Sequence, residues 1–318
     1  LSASEVETMF QIIGKLKEKG VTIIYISHRI EELFRISDRV TVMRDGQYVD
    51  TLVTKETNRK ELINLEVGRE FKEYYPKRSV ALSEIALEVR HLSGNGDEDI
   101  SFSVRQGEIL GVAGLVGSGR TEMANVIFGS VPKDSGEVWV NGKRVEIHSP
   151  NQAIRSGIGL IPEDRKNHGC IINANILFNI SLSVFNKFSR WFILDTKKIN
   201  QVARYYAEKF NIRTPSLQQQ VRNLSGGNQQ KVVIAKTLAA DTNILIFDEP
   251  TRGIDVGAKQ EIYNLMIELV NQGKAIVMIS SEMEELLGMS DRLIVLSEGR
   301  FMGEVPKEQF DQRYIIEL

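Results

Sequence analysis

Residues 109–121 read ILGVAGLVGSGRT, an unbroken apolar run followed by Gly114-Leu115-Val116-Gly117-Ser118-Gly119-Arg120-Thr121, after which Glu122 to Phe128 continue with helical spacing. The pattern is strand, glycine-rich loop, helix. Glycines at 114, 117 and 119 free the backbone to turn its N–H groups onto phosphate oxygens, and the helix N-terminus behind them adds partial positive charge. Thr121 supplies the hydroxyl expected on Mg²⁺. The strict phosphate-loop pattern carries lysine where this chain has Arg120. Arginine keeps the charge but replaces a compact ammonium with a planar fork, so phosphate still binds, in a different geometry.

A second apolar strand, Asn243 to Phe247, ends in Asp248-Glu249-Pro250. An acidic pair beside a phosphate loop suits Mg²⁺ held by Asp248 through water and an attacking water polarised by Glu249, because phosphoryl transfer depends on positioning and charge stabilisation. Between the two lies Leu224-Ser225-Gly226-Gly227-Asn228-Gln229, followed by a helical run to Ala240. A Ser-Gly-Gly turn feeding a helix N-terminus is physically another phosphate cradle, in which Ser225 and free N–H groups can grip a γ-phosphate.

The chain has 318 residues, 40 basic and 42 acidic, for a net charge of −2. That balance gives no electrostatic reason to expect nucleic acid or anionic lipid as a partner. The single cysteine, Cys170, forms no intrachain disulfide and reads as a small packed residue in a reducing compartment. No apolar stretch approaches the ~20 residues needed to span a bilayer, and the N-terminus lacks the regions of a signal peptide, so membrane association is expected through a partner.

The chain also repeats itself. Val21 to Gln47 runs parallel to Lys274 to Arg300 at an offset of 253 residues, with Glu31-Glu32-Leu33 matching Glu284-Glu285-Leu286 and Ser37-Asp38-Arg39 matching Ser290-Asp291-Arg292. Phe10 faces Tyr263, and both copies read as helix, glycine, buried strand, short helix, strand, turn. Ile85 to Gly253 has no counterpart in the first copy, so on the order of 170 residues are expected to be missing ahead of Leu1. The expected organisation is a remnant over residues 1–67, a linker over 68–83 carrying Pro76, and a complete unit over 84–318. Tyr74 and Tyr75 of the linker are expected to pack on a domain.

In that order, phosphate loop, LSGGNQ and acidic strand, the motifs resemble those of ATP-binding-cassette proteins. Gly253 to Ala258 (GIDVGA), Pro162 to Lys166 (PEDRK) and the arginine-bearing loop make the chain look like the second cassette of double-cassette importers for monosaccharides such as ribose, galactose or xylose. The resemblance implies an α/β fold, a P-loop ATPase cassette with a mixed, largely parallel sheet and a helical subdomain over about 167–240, preceded by the C-terminal fragment of another such cassette. It implies ATP and Mg²⁺ as cofactors, a signature turn that acts across a cassette–cassette dimer, and Asp255 in the loop crossing that interface. It also implies membrane permease subunits and an extracytoplasmic sugar-binding protein as partners, and a peripheral location on the cytoplasmic face of the membrane.

Three positions depart from the family pattern, which has lysine, glutamine and histidine where this chain has Arg120, Glu163 and Ser281. Glu163 is expected to bring negative charge toward Mg²⁺, and Ser281 carries no positive charge and falls short of an imidazole's reach. His28, at the position of Ser281 in the first copy, is the expected functional histidine, serving a site whose phosphate loop lies outside this sequence. The adenine side, residues 89–99, has His91 as its only ring. The competing readings are a soluble tandem-cassette ATPase acting on ribosomes or DNA, and a nucleotide-binding regulatory cassette without hydrolysis.

Overall fold

The computed structural model describes residues 3–27, 30–44, 46–59, 61–62, 65, 75–76, 81–185, 187–190 and 193–318. The chain divides into two compact units, residues 1–74 with Asp255–Gly257, and residues 75–254 with 258–318. No helix among the described residues is long and apolar enough to cross a membrane.

The larger unit is built on one ten-stranded sheet. Its strands are β3 (Ile85–Gly94), β4 (Asp97–Arg105), β5 (Ile109–Ala113), β6 (Ser135–Val140), β7 (Lys143–Val145), β8 (Ile158–Ile161), β11 (Ile244–Asp248), β12 (Ala275–Ile279), β13 (Arg292–Ser297) and β14 (Arg300–Pro306), in the spatial order β7-β6-β3-β4-β14-β13-β5-β12-β11-β8. From β13 to β8 all neighbours run parallel, with Ile276 opposite Ile109 and Ile244 opposite Ala275. Every residue of β5, β11 and β12 is buried. Continuous apolar runs are what a parallel strand needs when both sheet faces are covered. β3, β4, β6 and β7 pair antiparallel at the other end.

Helix α3 (Arg120–Phe128) follows β5 and buries Met123, Ala124 and Ile127 in the main core. It stops at Gly129, whose φ of 70° and N–H bonds to Asn125 and Val126 form a left-handed cap. The short helix α4 (Pro150–Arg155) leads into β8 and buries Ala153 in the same core. The described residues of 167–240 hold three α-helices, α5 (Ile176–Ser181), α6 (Thr196–Lys209) and α7 (Gly226–Ala239), with a short β9–β10 hairpin (Ser189–Arg190, Ile193–Leu194). Each of these three is N-capped by a side-chain oxygen: Asn175, Asp195 and Ser225 accept from Phe178, Lys198 and Asn228 N–H. Tyr75 packs on this unit, its ring 5.5 Å from that of Tyr263; Tyr74 lies outside the described residues.

The smaller unit has helices α1 (Ala3–Glu18) and α2 (Ile30–Ile36) and the antiparallel hairpin β1–β2 (Arg39–Arg44, Gln47–Val53). Ile30, Val40, Val42 and Leu62 are buried together. The strand read at 21–27 is unpaired, and Ile24 and Ile26 are 89% and 93% exposed. Their counterparts in the second copy, Val277 and Ile279, are 0% and 1% exposed. The difference is one of neighbours. β12 lies between β5 and β11 and pairs with both, whereas 21–27 pairs with no strand among the described residues.

One side-chain hydrogen bond of the repeat is nonetheless present in both copies. Ser27 Oγ donates to Glu32 at 2.8 Å, and 253 positions later Ser280 Oγ donates to Glu285 at 2.8 Å.

Candidate functional site

In an open parallel sheet, ligand-binding loops gather at the carboxyl ends of the strands. Here β5 leads into 114–121, β11 ends in Asp248 and Glu249, β12 runs into Ser280 and Ser281, and β8 runs into Glu163. The three central strands are adjacent, in the order β5-β12-β11, so loop, serine pair and acidic pair share one edge.

The glycines of the loop are conformationally required. Gly114, Gly117 and Gly119 have φ of 154°, 84° and 98°. A Cβ on Gly114 would lie 2.4 Å from the Leu296 carbonyl, and one on Gly119 would lie 2.0 Å from Asp97 Oδ1. Leu115 and Val116 at the tip are 79% and 92% exposed, and Ser118 is buried with its hydroxyl unpartnered. Gly119 is the N-cap of α3 without a side-chain cap, and the first turn behind it carries Arg120, Thr121 and Glu122. The unpartnered hydroxyl and uncapped helix start together fit an anion cradle.

Arg120 is 7% exposed. Its Nη1 donates to the Ser280 carbonyl at 2.6 Å and its Nη2 lies 4.0 Å from Glu249 Oε1. Burial draws the guanidinium below its ordinary value, and Glu249, Asp248 and Glu122 oppose that shift. Thr121 Oγ1 donates to Asp248 Oδ1 at 3.3 Å, bringing together the two residues expected on Mg²⁺. Burial pushes Asp248 up to about 6 and Glu249 to about 7, against the lowering influence of Arg120 on each. Glu249 sits at φ 46°, an uncommon conformation for a non-glycine residue, with its N–H bonded to the Ile279 carbonyl at 3.0 Å. Ser281 Oγ donates to Glu249 Oε2 at 3.1 Å. A serine at the end of β12 therefore does touch the acidic pair, as a neutral donor.

Residues 98–252 match the family described as ABC transporter. The chain carries an ABC transporter domain. It is 48% identical over 322 residues to the ribose import ATP-binding protein RbsA of Clostridium tetani, an alignment covering 99% of this chain and 63% of the relative. It is 47% identical over 319 residues to the RbsA of Bacillus subtilis, covering 100% of this chain and 65% of that protein. The chain thus spans less than two thirds of the length of these relatives. Among solved structures it is similar to the ADP conformation of an ATP-binding cassette of an ABC transporter, with TM-score 0.62 and 20% identity over 71% of this chain and 93% of that one. It is also similar to a dimeric post-hydrolysis cassette bound to ADP and phosphate, with TM-score 0.60 and 20% identity over 70% of this chain and 100% of that one. The fold is that of an ABC ATPase cassette.

Within this cassette the signature turn is set by α7. Ser225 Oγ accepts from Asn228 Nδ2 at 3.0 Å, and Asn228 Oδ1 accepts from the Arg213 N–H at 2.9 Å, so the polar side chains of the turn are already organised. Gly227 packs against α8 (Val256–Asn271): a Cβ there would lie 2.5 Å from that of Ala258. Leu224 is buried, and Gln229 turns inward, donating through Nε2 to the Val221 and Leu224 carbonyls at 3.2 Å each. Gln229 therefore stiffens the turn from behind. Glu163 is ion-paired with Arg252, which compensates locally the charge expected to burden the site. Asp255 is exposed. His91 is exposed and bonds Asp99 at 2.7 Å through Nδ1. His28 lies outside the described residues.

Three residues to which the sequence assigns no role emerge. Asp97 is 5% exposed against Gly119, with Oδ2 unpartnered, and burial together with Glu122 raises it to about 7. Glu285, 1% exposed, accepts from Thr251 Oγ1 at 2.5 Å, Tyr263 OH at 2.6 Å, Ser280 Oγ at 2.8 Å and Lys259 Nζ at 3.1 Å. It ties the segment after the acidic pair, α8 and the end of β12 into one buried network. Arg165, within PEDRK, is the third.

Among the described residues no cluster of three or more histidines, cysteines, aspartates or glutamates is gathered to hold a metal alone. Thr121 and Asp248 fit the alternative arrangement, in which Mg²⁺ takes one or two protein oxygens together with phosphates and water.

Proposed function

We propose that residues 84–318 bind Mg-ATP as the second of two cassettes in the ATPase subunit of a monosaccharide importer, and that residues 1–67 are the C-terminal part of the first. The observation that carries this is the contact of one side chain, Arg120, with both the strand end at Ser280 and Glu249, at the edge where the phosphate loop emerges. Backbone N–H groups of 114–121 and Arg120 would hold the phosphates, and Thr121 and Asp248 would hold Mg²⁺, which supplies neutralisation of phosphate charge. Glu249 would orient water. The signature turn, Ser225 to Asn228, would serve nucleotide held by the opposite cassette. Permease subunits and an extracytoplasmic sugar-binding protein are the partners, and the subunit lies on the cytoplasmic face of the membrane.

This site is a slow or non-hydrolytic one. Ser281 offers Glu249 a neutral hydroxyl where a positively placed donor would stabilise the transferring phosphoryl group. The names of the relatives support ribose or a similar sugar as the cargo. The test is ATP-dependent monosaccharide uptake by the full-length subunit in vesicles with its permease. Uptake that is lost on Ser225→Arg is the expected result, and uptake indifferent to that change overturns the reading.

A further inference from the structure

Two loops and a helix of the cassette meet on one side chain. Arg165 Nε donates to Gln229 Oε1 at 3.3 Å, Nη1 to the Arg252 carbonyl at 2.8 Å and Nη2 to the Gly253 carbonyl at 3.2 Å. These acceptors belong to the signature helix and to the loop after β11, while Arg165 itself belongs to the loop after β8. A planar fork can satisfy three such acceptors at once; a lysine ammonium at the same place cannot span them.

The connections on either side are stiff. The Asp164 carboxylate accepts from the Lys166 and Asn167 N–H groups at 3.0 Å each and from Asn167 Nδ2 at 2.7 Å, and the Arg165 carbonyl accepts from the Cys170 N–H at 3.0 Å. Glu163, two residues before Arg165, is ion-paired with Arg252, whose carbonyl Arg165 also holds. Gln229 in turn grips the Val221 carbonyl and that of Leu224, directly ahead of Ser225. The approach is close enough to need glycine: a Cβ on Gly226 would lie 2.9 Å from Arg165 Nη2 and 3.1 Å from the Gly253 carbonyl.

We propose that Arg165 is a positioning residue that couples the phosphate side of this cassette to the signature turn the cassette presents. A displacement of the loop after β8 or the loop after β11 is carried by the guanidinium into Gln229, and from there into Leu224 and Ser225. The inference rests on the nucleotide reading above. It goes further by making the two phosphate cradles of one cassette interdependent through a single side chain that binds Gln229 of one.

Hydrogen exchange of amides 224–231 in this 318-residue chain, with and without Mg²⁺ and a non-hydrolysed ATP analogue, tests it alongside a binding titration. In the unaltered chain the analogue slows exchange there by about fivefold or more, the lower end of coupling between linked sites. Arg165→Ala binds the analogue within about twofold of the unaltered chain but loses that slowing. Arg165→Lys, which keeps the charge and most of the packing, loses most of it too and carries the test if the alanine variant does not fold. Equal slowing in the variants, or no slowing in a chain that binds the analogue, overturns the coupling while leaving the nucleotide site intact. A chain that binds no analogue overturns both readings.

Discussion

Arg120 Nη1 donates to the main-chain carbonyl of Ser280 at 2.6 Å, binding the first residue of the helix behind the phosphate loop to the end of β12. The same guanidinium faces Asp248 and Glu249 from a buried position. Arg120→Ala removes the cation that phosphates would meet and leaves both carboxylates without it. Mg-ATP affinity should fall about tenfold or more, since a hydrogen bond to a charged group contributes ~1.5–3 kcal/mol. Arg120→Lys should retain most of the affinity. Titration calorimetry on the nucleotide-free chain decides, and unchanged affinity in the alanine variant removes Arg120 from the site.

Asp97 makes the stability of the cassette depend on pH. Its ordinary value is 3.8, and burial raises it to about 7 in the folded chain. Between these values the folded state holds a proton that the unfolded state has released. Stability therefore falls as pH climbs from about 4 to about 7, and the loss is constant above that window. Asp97→Asn removes the penalty, so the variant should melt higher than the unaltered chain at pH 8, by the equivalent of about 1–3 kcal/mol, and nearly with it at pH 5. Equal melting temperatures at pH 8 would mean that Asp97 ionises without cost.

Glu285 is a buried acceptor for four donors, three of them hydroxyls and the fourth the Lys259 ammonium at 3.1 Å. Glu285→Ala strands those hydroxyls and takes one carboxylate from the cation, and breaking a buried ion pair from one side costs about 3–5 kcal/mol. Tyr263→Phe removes a single donor and should cost about 1–2 kcal/mol. Urea denaturation of both variants measures the difference, and similar small losses would reduce Glu285 to a surface-like acceptor.

The asymmetry between the two sites predicts an unequal response in the full-length protein assembled with its permease. His28→Ala and Ser225→Arg should each stop ATPase activity and uptake, because both residues are assigned to the other site. Ser281→Ala should change either rate by less than about twofold, since it removes only a neutral hydroxyl donor from Glu249. Damage from Ser281→Ala equal to that from His28→Ala would make the sites equivalent.

The strand–glycine loop–helix at 109–128, the strand ending at Asp248 and the helix opening at Gly226 were legible because each is a local pattern, with glycine spacing, apolar runs and helix starts that state their geometry within a dozen residues. The repeat was legible for the same reason, and the structure adds a pairing common to both copies, Ser27 with Glu32 and Ser280 with Glu285. Local pattern did not decide burial. Ile24 and Val277 occupy equivalent places in the two copies, yet one is 89% exposed and the other 0%, because a strand is completed by neighbours from elsewhere in the chain. Nor could spacing reveal that Glu163 pairs with Arg252, that Asp97 lies under Gly119, or that Arg165 reaches Gln229 across 64 residues. Those charges owe their ionisation and their reach to burial and to long-range contacts, which exist only after the sheet has brought the carboxyl ends of its strands together.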